Sequence, residues 1–392
     1  MFELEFTPAE EAFRRELRDF LAQHLPAERP PEDEEARREY QRRWQQTLAG
    51  GGWVGIQWPR EHGGRAASLN EQIIFTEEMA RVRAPEILDA VAVNIVGSVL
   101  LHAGTDAQKR RFLPRILPAD EVWCLGFSEP NAGSDLASLR CRAVRDGDEW
   151  VVSGQKVWSS KAHFADWLLL LVRTDPDVPR HKGITCLVVD MHAPGVTWRP
   201  LVQISGRREF NEVFLEEVRV PVADTVGAVN AGWPLIRAAL AHERGTLWAF
   251  DFKIRLQNGA RALCDLYRRA AAGDGGRTDL AALRGQVAQA WIESQVFAAH
   301  TLRLLPKLHA GDAGADAALQ KLFGSEVQQR ACELAMQLEG PWAQLGVGEA
   351  QALDAGEPQE RYLYSRSVTI SSGTSEVLRG LIAQQALGLP RG

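Results

Sequence analysis

The period of the apolar residues changes twice along this chain, and few folds tolerate such a change. Up to about residue 117 the spacing is helical. Thr7, Pro8 and Glu10 form a T-x-x-E capping box with proline in the first turn. Phe13, Leu17, Phe20 and Leu21 then recur at three- and four-residue intervals, and similar patterns run through 33–50, 68–83 and 86–104. Near residue 120 the texture switches. EWVVSGQKVWSS (149–160), DWLLLLVRT (166–174), GITCLVVDM (183–191) and EVFLEEVRV (212–220) are short, rich in β-branched or aromatic residues, and bounded by turn formers. Strands so close together, with no helices between them, predict a barrel or sandwich rather than a doubly wound parallel sheet. From Ala231 the helical period returns over 233–272, 278–310, 314–338 and 361–386, which predicts a four-helix bundle. The expected fold is multidomain α+β: an all-α region over 1–119, a β region over 120–227 and a helical bundle over 228–392.

Composition narrows the partners. The 392 residues carry a net charge of −6 with no basic block, which argues against nucleic acid. The five cysteines, Cys124, Cys141, Cys186, Cys264 and Cys332, are odd in number, widely spaced and without a C-x-x-C pair. Neither a disulfide framework nor a metal site is expected. The N-terminus lacks the basic and apolar blocks of a signal peptide, and no apolar run approaches the roughly 20 residues of a membrane span. A reducing cytoplasm is the expected location.

Four stretches, spread over the whole chain, resemble the acyl-CoA dehydrogenase family: GGWVGIQWPREHGG (51–64), FSEPNAGSDLAS (127–138), GQKVWSSKAHFADW (154–167) and YSRSVTISSGTSEVLRGLIAQQALGLP (364–390). Read without the resemblance, Pro130, Gly133, Ser134 and Asp135 make a turn of small residues that a phosphate or ring edge can approach closely, or else a plain β-turn. Trp158 is one of 12 tryptophans and reads equally as a core residue. Thr374 reads as a helix cap, which is compatible with anion binding at the same place. The resemblance implies FAD, lying between the β region and the bundle. It implies contacts from Phe127, Ser128 (to the flavin ring), Gly133, Ser134 (to the pyrophosphate), Trp158 (packed on the flavin) and Ser160 (near the reactive N5 edge). It adds Gly373, Thr374 and Glu376 near the phosphate and ribose. Gln337 and Gly340 resemble a segment that reaches a neighbouring subunit's FAD, although Pro341 stands where glycine is common. A second such segment has no clean counterpart in AAAGDGGRTDLAALRGQ (270–286).

Removing the α proton of a thioester needs a positioned base. Many members carry it as Glu-Gly-Thr near the C-terminus, but this chain has Ser371-Ser372-Gly373-Thr374 there. The family's second location is a Glu-Arg pair on the first bundle helix, here Glu243 and Arg244. Ile236, Leu240, Glu243, Leu247 and Phe250 fall on one helical stripe in which Glu243 is the sole charge. Such an acid is costly unless paired or functional, and Arg237 and Arg244 are alternative salt-bridge partners for a purely structural carboxylate. The expected assignment is Glu243 as base, with Arg244 and Ser134 contacting substrate. The expected partners are an acyl-CoA, an electron-transfer flavoprotein, and other subunits in a homotetramer or an α2β2 assembly with a related chain. Other flavin chemistry on the same scaffold, and a non-enzymatic partner subunit, are the alternatives; retained Glu243, Ser134, Trp158 and Thr374 argue against both.

Overall fold

The computed structural model describes residues 5–237, 247–272, 280–310 and 313–390, without the side chains of residues 247, 248 and 309. The chain divides into two compact units, Phe6–Glu243 and Arg244–Gly392.

The first unit begins with helices α1 (Pro8–His24), α2 (Glu34–Gly50) and α3 (Leu69–Arg81). The Thr7–Glu10 capping box forms as the sequence predicts, and Ser68 with Glu71 makes a second at the start of α3. The expected helix over 86–104 is shorter and irregular. A π-helical turn, Ala92–Val96, leads into α4 (Gly97–Ala103), and α5 (Asp106–Ile116) follows. Asp89 sets the start of that turn. Its carboxylate accepts the N–H of Ala92 at 3.0 Å and that of Trp123 at 2.7 Å, so it ties the π turn to the first strand. Burial pushes its carboxyl up to about 6, against those N–H bonds and the positive charges of Lys161 and Arg42.

Eight strands then form one sheet: β1 (Trp123–Gly126), β2 (Arg142–Asp146), β3 (Glu149–Ser160), β4 (Trp167–Arg173), β5 (Ile184–Asp190), β6 (Val196–Leu201), β7 (Phe210–Pro221) and β8 (Thr225–Val226). Their order is β6-β7-β3-β2-β4-β5-β8, with β1 parallel to β4. The sheet curls, for β5 and β7 touch although three strands separate them in that order. Curling explains the unbroken run Leu168–Leu171. Leu168 and Leu170 pack into the core of the curl, while Leu169 and Leu171 pack against the helices, so both faces of β4 are dry. Each such buried leucine stabilises the unit by roughly 1.5–3 kcal/mol. Helices and sheet therefore share one core, in which Trp53, Val96, Leu100 and Phe112 meet Trp123, Leu169 and Val188. Leu235 and Ile236, which the sequence boundary at 228 assigned to the bundle, also belong to it.

The second unit holds three long helices, α6 (Leu247–Ala272), α7 (Leu280–His309) and α8 (Gly314–Glu339), and two shorter ones, α9 (Glu357–Val368) and α10 (Ser375–Gln385). The single fourth helix expected over 361–386 is thus two. Ser372 (φ +53°) and Gly373 (φ +104°) take left-handed conformations that no right-handed helix accommodates. Gly324 lets α8 approach closely, because a Cβ there would lie 2.5 Å from the Phe297 ring. Among the described residues no helix is long and apolar enough to cross a membrane.

Candidate active site

In the first unit the motif residues gather where β1 leaves the sheet and β3 bulges. Phe127 is buried and Ser128 half-buried. The Ser128 carbonyl accepts the Val157 N–H at 2.9 Å, which places the loop beside β3. Glu129 and Ala132 exchange two main-chain hydrogen bonds of 3.0 Å and so close the turn that presents Gly133 and Ser134. Both of those are exposed. A Cβ built on Gly133 would meet nothing within 4 Å. No protein packing demands glycine there, so space is left for a ligand to approach the main chain.

Trp158 is not a core residue. The pairing of β3 with β7 shifts between Lys156 and Ser159, and Trp158 sits in that bulge at φ +63°. The bulge turns the indole out of the sheet, 60% exposed, while Val157 and Ser159 on either side are buried. A left-handed tryptophan is strained, and such strain persists only where the surroundings enforce it. Its ring meets Phe210 edge-on at 6.0 Å between centroids. Ser160 is half-buried and pairs with Phe210 at the end of β3.

Two residues that sequence reasoning passed over organise this region. Lys156 is fully buried, and its Nζ donates to Glu129 Oε1 at 2.8 Å and to the Phe127 carbonyl at 3.1 Å. Glu129 Oε1 also accepts the Cys141 N–H at 2.8 Å, and Oε2 the Arg140 N–H at 2.7 Å. The available signal was a lone Glu in FSEP and a lone Lys in GQKVW, two charges in otherwise apolar or glycine-bearing strand ends. Burial pushes the thiol of Cys141, whose N–H bonds Glu129, up to about 11 and so disfavours its thiolate.

In the second unit, Thr374 caps α10, its hydroxyl accepting the Val377 N–H at 3.3 Å. Glu376 is exposed in the first turn, and its carboxyl is held below the usual range by its own N–H and by the Thr374 hydroxyl. Lys321, buried on α8, donates to the carbonyls of Val368 at 2.9 Å and Gly373 at 2.8 Å, and so holds the turn that precedes the cap. Gln337 is exposed near the end of α8. Gly340 (φ +64°) ends that helix, and Pro341 begins a 3-10 turn over Gly340–Gln344.

Glu243 and Arg244 lie outside the described residues, as does Leu240 in their stripe. The two ends of the stripe, Ile236 and Phe250, are each buried. Ser372 offers a hydroxyl and no carboxylate.

With this geometry in place, the comparisons are decisive about family. Residues 7–120, 124–218 and 230–387 match the N-terminal, middle and C-terminal domains of acyl-CoA dehydrogenases, so the chain belongs to the acyl-CoA dehydrogenase family. Its fold is that family's: helical N-terminal domain, central sheet domain, helical C-terminal domain. Among curated relatives, acyl-CoA dehydrogenase IpdE1 of Mycobacterium tuberculosis is 38% identical over 97% of this chain and 98% of its own length. Among solved structures, the Tcur3481–Tcur3483 steroid ACAD is 32% identical with a TM-score of 0.84, both chains being covered completely. The ChsE4–ChsE5 complex of M. tuberculosis is 35% identical with a TM-score of 0.82, again over the whole of both chains. The chain is thus an enzyme of a family that dehydrogenates acyl-CoA thioesters with FAD. In the first unit, the open approach to Gly133 and the outward indole of Trp158 are of a kind that suits a flavin ring.

Proposed function

We propose that this chain catalyses the α,β-dehydrogenation of an acyl-CoA to the trans-2-enoyl-CoA with Glu243 as the proton-abstracting base. The observation that carries the reading is the solvent-facing Trp158 on a strained bulge beside Ser128, in a chain that matches the family end to end. Bound FAD supplies the acceptor for the hydride that leaves the β carbon. Ser128, Ser160 and Trp158 orient and shield the ring, Phe127 and Gly133 shape the turn beneath it, and Ser134 serves both the pyrophosphate and the substrate. Thr374 and Glu376 meet phosphate and ribose. Glu243 takes the α proton, and Arg244 beside it helps hold the substrate.

The acyl group we propose is ring-bearing, attached to a steroid-derived skeleton, because a solved relative of full coverage is described as a steroid ACAD. The assembly we propose is an oligomer, a homotetramer or a pairing with a second related subunit. The relatives described as Tcur3481–Tcur3483 and ChsE4–ChsE5 support the mixed version, and so does Pro341 beside Gln337 and Gly340. Electrons leave to an electron-transfer flavoprotein, and the expected location is cytoplasmic.

The test is Glu243→Gln, which keeps shape and removes basicity. Substrate-driven bleaching of the flavin under anaerobic conditions is expected to slow by about 10²–10⁴-fold with FAD content unchanged. Bleaching at the wild-type rate with a good acyl-CoA would exclude Glu243 as the base.

A further inference from the structure

The buried charges of Glu129 and Lys156 touch three separated pieces of chain. Lys156 Nζ bonds the Glu129 carboxylate at 2.8 Å and the Phe127 carbonyl at 3.1 Å. The carboxylate in turn takes the N–H groups of Arg140 and Cys141 at 2.7 and 2.8 Å. Ser128 lies between the two residues that Lys156 bonds, and its own carbonyl is taken by Val157. Two residues beyond Lys156 the strand bulges and turns Trp158 outward. Stability alone does not explain such a pair, because well-packed apolar residues of similar size commonly stabilise a fold as well or better. What apolar packing lacks is direction, whereas the bonds around Glu129 and Lys156 fix both the loop and the strand in one register.

We propose that Glu129 and Lys156 are positioning residues for flavin recognition: their buried bond sets the aim of Ser128 and of the Trp158 ring. The inference rests on the reading of this site as FAD-binding. The experiment uses the full-length holoenzyme and a Glu129→Leu/Lys156→Met double variant, which removes both charges together. Three quantities are measured: the melting temperature, the FAD dissociation constant after deflavination, and the visible absorbance and circular dichroism of the bound flavin. The double variant is expected to melt within a few degrees of wild type, to bind FAD at least tenfold more weakly, and to show an altered flavin spectrum. A folded double variant with wild-type affinity and spectrum overturns the proposal. Should the double variant not fold, Glu129→Gln decides. It keeps the shape and one acceptor oxygen, and the proposal expects at least threefold weaker FAD binding with a shifted spectrum; unchanged values overturn it. Wild-type protein that takes up no FAD would instead refute the cofactor reading and leave the double variant's effect on the loop to be read from hydrogen exchange over residues 127–134 and 156–160, where no change again overturns the proposal.

Discussion

Lys156 in the first unit and Lys321 in the second are both buried, and each donates to main-chain carbonyls at the turn that carries a motif. Their surroundings differ. Lys156 meets a buried carboxylate, Glu129, 27 residues earlier in the chain. Lys321 meets the carbonyl of Val368, the last residue of α9, and that of Gly373 in the following turn. Those carbonyls lie at and just beyond a helix C-terminus, whose dipole favours a cation. The first lysine bonds an opposite charge, and the second bonds two main-chain carbonyls. The Glu129–Lys156 arrangement is fragile, because deleting either partner strands the other charge in the interior.

That difference predicts unequal costs. Lys156→Met should remove about 3–5 kcal/mol from the stability of the first unit, as breaking a buried ion pair does. Urea unfolding followed by tryptophan fluorescence reads it. A cost no greater than that of the matching Lys321 change would show that the Glu129 carboxylate is not what distinguishes the two.

Glu78 offers a second buried charge against which to measure the first. Its side chain is 1% exposed and is bonded by Arg14, Arg18 and Arg81 at 2.7–2.9 Å. Burial pushes its carboxyl up, but the three guanidinium groups prevail and hold it at about 2, below the ordinary 4.5. A depressed folded-state pKa gives stability that is complete above pH 4.5 and lost as the pH falls toward 2. Glu78→Gln should therefore cost about 3 kcal/mol at neutral pH and flatten the acid limb of the stability profile. An unchanged acid limb would show that the three arginines do not hold the charged form.

In Lys321→Met the loss of the two carbonyl bonds should itself cost about 1–3 kcal/mol, the penalty of leaving two carbonyls short of a donor. Hydrogen exchange at α9 and α10 would localise it. A loss equal to that of Lys156→Met would show that the two carbonyl bonds are not what sets the cost at Lys321. Smallest in stability is Ser134→Ala. The hydroxyl is exposed, so the unfolding curve should be unchanged while FAD affinity falls. Unaltered affinity would remove Ser134 from the cofactor site.

Much of the molecule was legible from local patterning. The capping box at Thr7, the helical faces, the strand texture after residue 120 and the four motif stretches each depend on residues a few positions apart, and such patterns survive in one dimension. Within the motifs, the turn at Pro130, Gly133, Ser134 and Asp135 is legible because small residues are turn formers, and Thr374 is legible as a helix cap. The break at Ser372–Gly373 is only half legible: the cap at Thr374 marks it, but two left-handed residues leave the surrounding helical period intact on both sides. Whether Trp158 was core or surface was undecidable from sequence, for indole rings serve both places. A bulge in the pairing of β3 with β7 decided it, and that register is set by a strand some 50 residues away. The pairing of Glu129 with Lys156, and of Lys321 with Val368 and Gly373, is hidden for the same reason, although the lone charges themselves stand in the sequence. A charge in a sequence carries no mark of being buried. Burial becomes tolerable only when a distant partner arrives to satisfy it, and only the tertiary structure brings the two together.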